Sequence, residues 1–152
     1  MAVRTSKCHM FITGVASTIS HLDFNMPQLC QQDLEALLCP TLGRHMVVES
    51  FMSKPLTLPG ENYGSTTLDI EMTICHGKDE TSSHNLSLVA KLVPPFEFLQ
   101  KVFDSPITFC KEITCYTSLK LEYEKLQTEM CIPKDKFDVF SKCYGARMTM
   151  LE

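Results

Sequence analysis

Between residues 66 and 75 the apolar side chains Leu68, Ile70, Met72 and Ile74 alternate with Thr67, Asp69, Glu71 and Thr73. A period of two turns one set toward a core and the other toward water, which is the pattern of a half-buried strand. A polar segment, 76–84, follows it, and 85–93 returns as a second apolar run. The two stretches therefore read as an antiparallel pair.

The remaining elements are placed around that pair. A helix enters near Asn25-Met26-Pro27, puts Leu34, Leu37 and Leu38 at helical spacing, and ends at Leu38-Cys39-Pro40. Its role is packing. Residues 45–53 read as a strand and 54–60 as a turn region. Pro94-Pro95 stops the strand that ends at Val93. Phe96, Leu99 and Phe103 suit a short amphipathic helix, and Ser105-Pro106 opens a longer one to about Gln127. Residues 137–144 and 146–151 read as two strands joined at Gly145. This order predicts an α+β domain: an antiparallel sheet of about five strands with one main helix packed on it and an extra N-terminal helix. Residues 1–24, with Arg4, Lys7 and no acid before Asp23, weakly resemble a transit peptide but are expected to be a disordered extension. The domain occupies 25–152.

A chain of 152 residues is long enough for one such domain with its own core. At 44% hydrophobic and 21% charged it has the composition of a folded protein. A net charge of -4 leaves no electrostatic footprint for nucleic acid or an acidic membrane surface. No stretch is long and apolar enough to span a bilayer. The eight cysteines contain no Cys-x-x-Cys pair and sit in apolar stretches. They read as free, mostly buried thiols in a reducing compartment, the cytoplasm. The five histidines are scattered and lack the spacing of a metal site.

Two charged residues stand out against their surroundings. Lys91 shares a strand face with Ser87, Val89 and Val93, while Leu86, Leu88, Ala90 and Leu92 line the other. Both faces are largely apolar, as in a central strand. Were the strand at an edge, Lys91 would instead be its solubilising charge. Glu112 lies in the helical stripe Phe109, Glu112, Tyr116, Leu119, Tyr123. A carboxylate on an apolar face needs a cation or water, and a rotated helix would simply leave it solvated. Taken together the two residues favour a Lys91–Glu112 pair, with the lysine fixed in direction and free to reach a phosphate. A third feature, Gly60-Glu61-Asn62-Tyr63-Gly64-Ser65, lies between two strands. Such a turn can bring backbone N–H groups close to an anion, although most turns of this kind are only turns.

In that order, a glycine-containing hairpin, a strand lysine and a helix glutamate resemble the N-terminal lobe of a protein-kinase-like phosphotransferase. The similarity is greatest to the ecdysteroid kinase-like family of insects and nematodes, relatives of choline and aminoglycoside kinases. Residues 60–65 resemble its nucleotide loop, Leu88-Val89-Ala90-Lys91 its lysine strand, and Phe109-x-x-Glu112 with Tyr116 its helix motif. Ser141-Lys142-Cys143-Tyr144-Gly145-Ala146 resembles the strands before its hinge. The resemblance extends over about 27–152. It implies a kinase-like N-terminal lobe that binds ATP. Lys91 would contact the α- and β-phosphates and Glu112 would orient it. The backbone around Asn62, Tyr63, Gly64 and Ser65 would cover the phosphates, and Val89 would lie near the adenine. Full-length relatives would pass the γ-phosphate to a hydroxyl of a small molecule such as a steroid.

The loop is not the Gly-x-Gly-x-x-Gly of protein kinases, and no His-Gly-Asp or His-Arg-Asp occurs in the sequence. The magnesium ligands and the acceptor site are expected from a further lobe. The chain is therefore expected to be a truncated small-molecule kinase, inactive by itself, with no catalytic residue of its own. Two other readings stay open: a non-catalytic lobe whose exposed half-cleft is covered by a protein partner, and an unrelated α+β domain with no nucleotide role.

Overall fold

The computed structural model describes residues 8–12, 29–58, 61–76, 83–133 and 140–147, the first of these by its backbone alone. Helix α1 (Gln31–Leu42) begins after Cys30, whose sulfur accepts a hydrogen bond from the Asp33 N–H at 3.4 Å. Leu34, Leu37 and Leu38 are its buried face, at the expected spacing. The helix runs two residues past Pro40. That proline withdraws one N–H donor, but the stop comes at Gly43. Its φ of +112° suits only glycine, and its N–H closes on the Cys39 carbonyl at 2.9 Å.

The antiparallel part of the sheet has three strands: β2 (Met46–Pro55), β3 (Thr66–His76) and β4 (His84–Leu92). The apolar half of the period-two reading of β3 holds, with Leu68, Ile70, Met72 and Ile74 all buried, whereas Asp69, expected on the wet face, is buried as well. The expectation of about five antiparallel strands does not hold. Two short strands, β1 (Cys8–Ile12) and β5 (Cys143–Arg147), join in parallel, giving the order β2-β3-β4-β1-β5 among the described residues. Thus Cys8–Ile12, placed by the sequence reading in a disordered extension, lies beside β4. The rest of 1–28 lies outside the described residues. So do residues 137–139 and 148–151 of the two strands expected at 137–144 and 146–151. What is described there is one strand, β5, which continues through Gly145 with a register shift against β1.

One face of the sheet and α1 form the core: Met46, Val48, Leu68, Ile70, Leu88, Ala90 and Leu92 with Leu34, Leu37, Leu38 and Tyr144. The helix that supplies the core is therefore α1, whereas the sequence order gave that role to the long helix. α1 also closes the sheet edge at Val48. Glu35 Oε1 accepts from the Val48 N–H at 2.9 Å, and Gln31 Nε2 donates to the Val48 carbonyl at 2.6 Å. Both groups would otherwise stand open on an edge strand. In the same first turn α1 is tied to β5 by Arg147 Nη2 and Asp33 Oδ1, 3.2 Å apart. The Asp33 carboxyl titrates below its ordinary range, chiefly because the Cys30 thiol donates to it and then because of Arg147.

The second face of the sheet carries Val89 and Lys91. The chain continues through α2 (Glu97–Val102), α3 (Ser105–Thr114), a π-helical turn (Cys115–Leu119) and α4 (Lys120–Glu129), and α3 meets this face through Phe109 and Glu112 at Lys91. Full burial along the long helix is confined to Ser105 and Phe109 in α3 and Gln127 in α4. The uniform stripe read from the sequence breaks at the π turn. A turn closed by i→i+5 bonds holds more residues than an α turn, so the phase of the face shifts there. Leu119 and Tyr123, in line with Phe109 by sequence spacing, are exposed. The short helix α2 buries no residue either, and Phe96 and Phe103 are exposed in place of forming an apolar inner face.

Candidate functional site

Strand β4 lies third of five, hydrogen-bonded on both sides. Its centre is buried on both faces: Leu88, Ala90 and Leu92 toward the core and Val89 on the other side. Lys91 projects from that second face. Its ammonium lies 2.6 Å from Glu112 Oε2 and 5.6 Å from the centre of the Phe109 ring. The two side chains are 28% and 29% exposed, so each keeps some contact with water. In such a setting the pair avoids the full desolvation penalty of a buried ion pair and holds the lysine in one direction. The central strand accounts for Lys91. The α3 stripe accounts for Glu112, one turn beyond the fully buried Phe109.

Tyr116 follows Glu112 by one turn, at the start of the π segment. Burial raises its phenol pKa, and the Glu112 carboxylate raises it further. Its ring meets Phe140 edge-on, with centroids 6.0 Å apart. Burial likewise pushes the Cys143 thiol upward, away from the reactive thiolate form.

The loop before β3 is organised by its own side chains. Asn62 Nδ2 donates to Ser65 Oγ at 2.9 Å and to Thr67 Oγ1 at 3.2 Å. Ser65 is buried and Tyr63 is exposed. Gly64 lies against Phe103, and a Cβ built on it would meet that ring at 3.5 Å, an ordinary contact. The loop thus rests on the link between α2 and α3. Of the residues singled out from the sequence, Lys91 and Glu112 are brought into direct contact. Val89 lies on their face, and residues 62–65 form the turn that leads into β3. Gly60 lies outside the described residues. Thr67 was missed, although it stands directly opposite Lys91 in the β3–β4 register. Its signal was present in the hairpin, because the alternation that buries Leu68 also turns Thr67 to the lysine face.

Among the described residues no group of three or more His, Cys, Asp or Glu side chains is placed to hold a metal ion. No described helix is long and apolar enough to cross a membrane. Seven cysteine side chains are described and all are free. None is fully buried, and Cys30, Cys110 and Cys131 are exposed, contrary to the expectation of mostly buried thiols.

A strand lysine held by a helix glutamate next to a glycine-containing loop is the arrangement that the sequence motifs implied. Comparison with protein-family models matches the ecdysteroid kinase-like family over residues 59–151, more than half of the chain. The chain belongs to the ecdysteroid kinase-like family. The match takes in the loop, both strands of the hairpin, the Lys91–Glu112 pair, the long helix and β5. It relates the chain to kinase-like phosphotransferases. It begins after α1 and β2, so it covers less than the 27–152 over which the sequence resemblance was read. No curated protein matches the chain, and no solved structure does.

Proposed function

We propose that this chain is the nucleotide-binding lobe of an ATP-dependent small-molecule kinase. The observation that carries the reading is the 2.6 Å Lys91–Glu112 pair on a central strand facing the long helix. An ammonium fixed in direction by a carboxylate, with loop hydroxyls and backbone N–H groups nearby, suits a polyphosphate chemically. In this reading Lys91 neutralises phosphate oxygens, Glu112 orients Lys91, and the backbone of Asn62, Tyr63, Gly64 and Ser65 covers the phosphates. By family resemblance Val89, buried on the Lys91 face, lies near the adenine.

Phosphoryl transfer depends on positioning and on charge neutralisation by metal ions. The sequence contains no catalytic-loop motif, so the reading gives this chain binding without transfer. By family resemblance the acceptor is a hydroxyl of a steroid-like small molecule, met by residues outside this chain, as are the magnesium ligands. The seven described thiols suit the reducing cytoplasm.

A second reading is favoured by the exposed apolar side chains Phe96, Phe98, Val102 and Ile107 on α2 and the start of α3. In it the lobe is a protein-interaction module derived from a kinase, and a protein partner covers this surface.

Calorimetric titration of the full 152-residue chain with ATP, with and without magnesium, separates the two. Saturable binding is expected for a nucleotide lobe. A folded chain that takes up no ATP would leave the interaction module as the better reading.

A further inference from the structure

Thr67 and Lys91 are directly paired across the β3–β4 ladder, so their side chains leave the same face of the sheet. Directly opposed residues carry their Cβ atoms about 5 Å apart. Thr67 Oγ1 already accepts a hydrogen bond from Asn62 Nδ2, and Ser65 Oγ accepts from the same amide nitrogen. A hydroxyl that accepts from a side-chain amide still has its own proton to give. Asn62 therefore leaves two hydroxyls as donors, one of them on the residue paired across the ladder with Lys91, whose ammonium Glu112 fixes.

We propose that Thr67 is a phosphate-binding residue of this site, donating to the anion that Lys91 holds, and that Asn62 is the positioning residue that turns its hydroxyl. The inference rests on the nucleotide-lobe reading and deepens it. The carboxylates on the same strand do not compete for this role. Asp69 is buried beside Lys54, 3.5 Å away, and Glu71 also lies within reach of Lys54. Thr67 is half-buried, open enough to meet a ligand and tied down enough to be preorganised. Its backbone carbonyl is engaged as well, accepting from the Leu56 N–H at 2.9 Å.

The test compares ATP with adenosine on the full chain. Thr67→Val keeps the β-branched shape that a strand favours and removes the hydroxyl. Loss of one hydrogen bond to a charged group weakens ATP binding about tenfold or somewhat more, and adenosine binding stays unchanged. Thr67→Ser restores most of the ATP affinity. Asn62→Ala weakens ATP binding in the wild type but has little further effect in the Thr67→Val, Ser65→Ala background, because it acts through those hydroxyls. Thermal unfolding without ligand confirms that each variant is folded. ATP binding by the wild type that is unchanged in Thr67→Val overturns this inference alone. So does an equal loss for ATP and adenosine. Absence of ATP binding in the wild type overturns the inference and the nucleotide-lobe reading together.

Discussion

Lys91→Met is expected to lower ATP affinity about a hundredfold while the domain stays folded. Removing one partner of a hydrogen-bonded charge pair costs on the order of 1.5–3 kcal/mol where the interaction is with a charged group, and 1.4 kcal/mol is a factor of ten. In the proposed site the lysine meets the phosphates as well as Glu112, so the nucleotide loses its main cation. The fold tolerates the change for two reasons. Methionine fills a comparable volume and is at ease against Phe109. Glu112 is 29% exposed, so it gains water when it loses the ammonium and is not stranded in an apolar interior. Calorimetry reads the affinity and urea unfolding reads the stability. A variant that binds ATP as well as the wild type does would show that Lys91 is a structural ion pair and nothing more.

The second large effect concerns the fold. Gly145→Ala is expected to destabilise the domain by about 3 kcal/mol, at the upper end of the usual cost of overpacking. A Cβ at this position would run into the Leu37 carbonyl oxygen and come within 2.8 Å of Leu37 Cγ. A backbone carbonyl in α1 cannot rotate aside, so relief requires α1 to move off β5. Leu37 and Tyr144 both belong to the core, and that shift would loosen it. Domain stabilities are commonly about 5–15 kcal/mol, so such a loss is a large fraction of the total. The urea midpoint should fall with the slope unchanged. Gly64→Ala is the internal contrast. Its Cβ meets Phe103 at an ordinary 3.5 Å, and little change in stability is expected. Equal stability of Gly145→Ala and the wild type would contradict the close seating of β5 on α1.

What the sequence revealed depended on how local the cause was. β3 declared itself because eight residues, Thr67 to Ile74, alternate without a break, and β4 because two prolines end an apolar run. Lys91 and Glu112 were legible as a pair because each was out of place alone and each answered the other's need. Non-local causes stayed hidden. Cys8–Ile12 carries no alternation of its own, and its parallel neighbours β4 and β5 lie about 80 and 135 residues away in the chain. The long helix looked like the main packing helix because its stripe was projected at one uniform period. The π turn at Cys115–Leu119 changes that period without a sequence signal as plain as proline or glycine. α1, by contrast, was assigned to packing correctly but ranked second, since nothing in its spacing tells that it covers the larger core. In the site, Thr67 was overlooked because it was counted among the wet residues of β3. Only the register shows that its neighbour across the ladder is Lys91.

The central claim is that the Lys91 ammonium meets the phosphates of a bound nucleotide, and covalent labelling tests it most directly. A nucleotide whose terminal phosphate carries an acyl group acylates an amine lying against its phosphates: the lysine nitrogen attacks the carbonyl carbon, the acyl–oxygen bond breaks, and the nucleotide leaves as the anion. The full chain would be treated briefly with such an ATP derivative, digested, and its lysines compared by mass spectrometry. The expected result is preferential acylation of Lys91, suppressed by excess ATP and not by adenosine. Acylation spread over the exposed lysines, such as Lys54 and Lys101, with no protection by ATP, would contradict the claim.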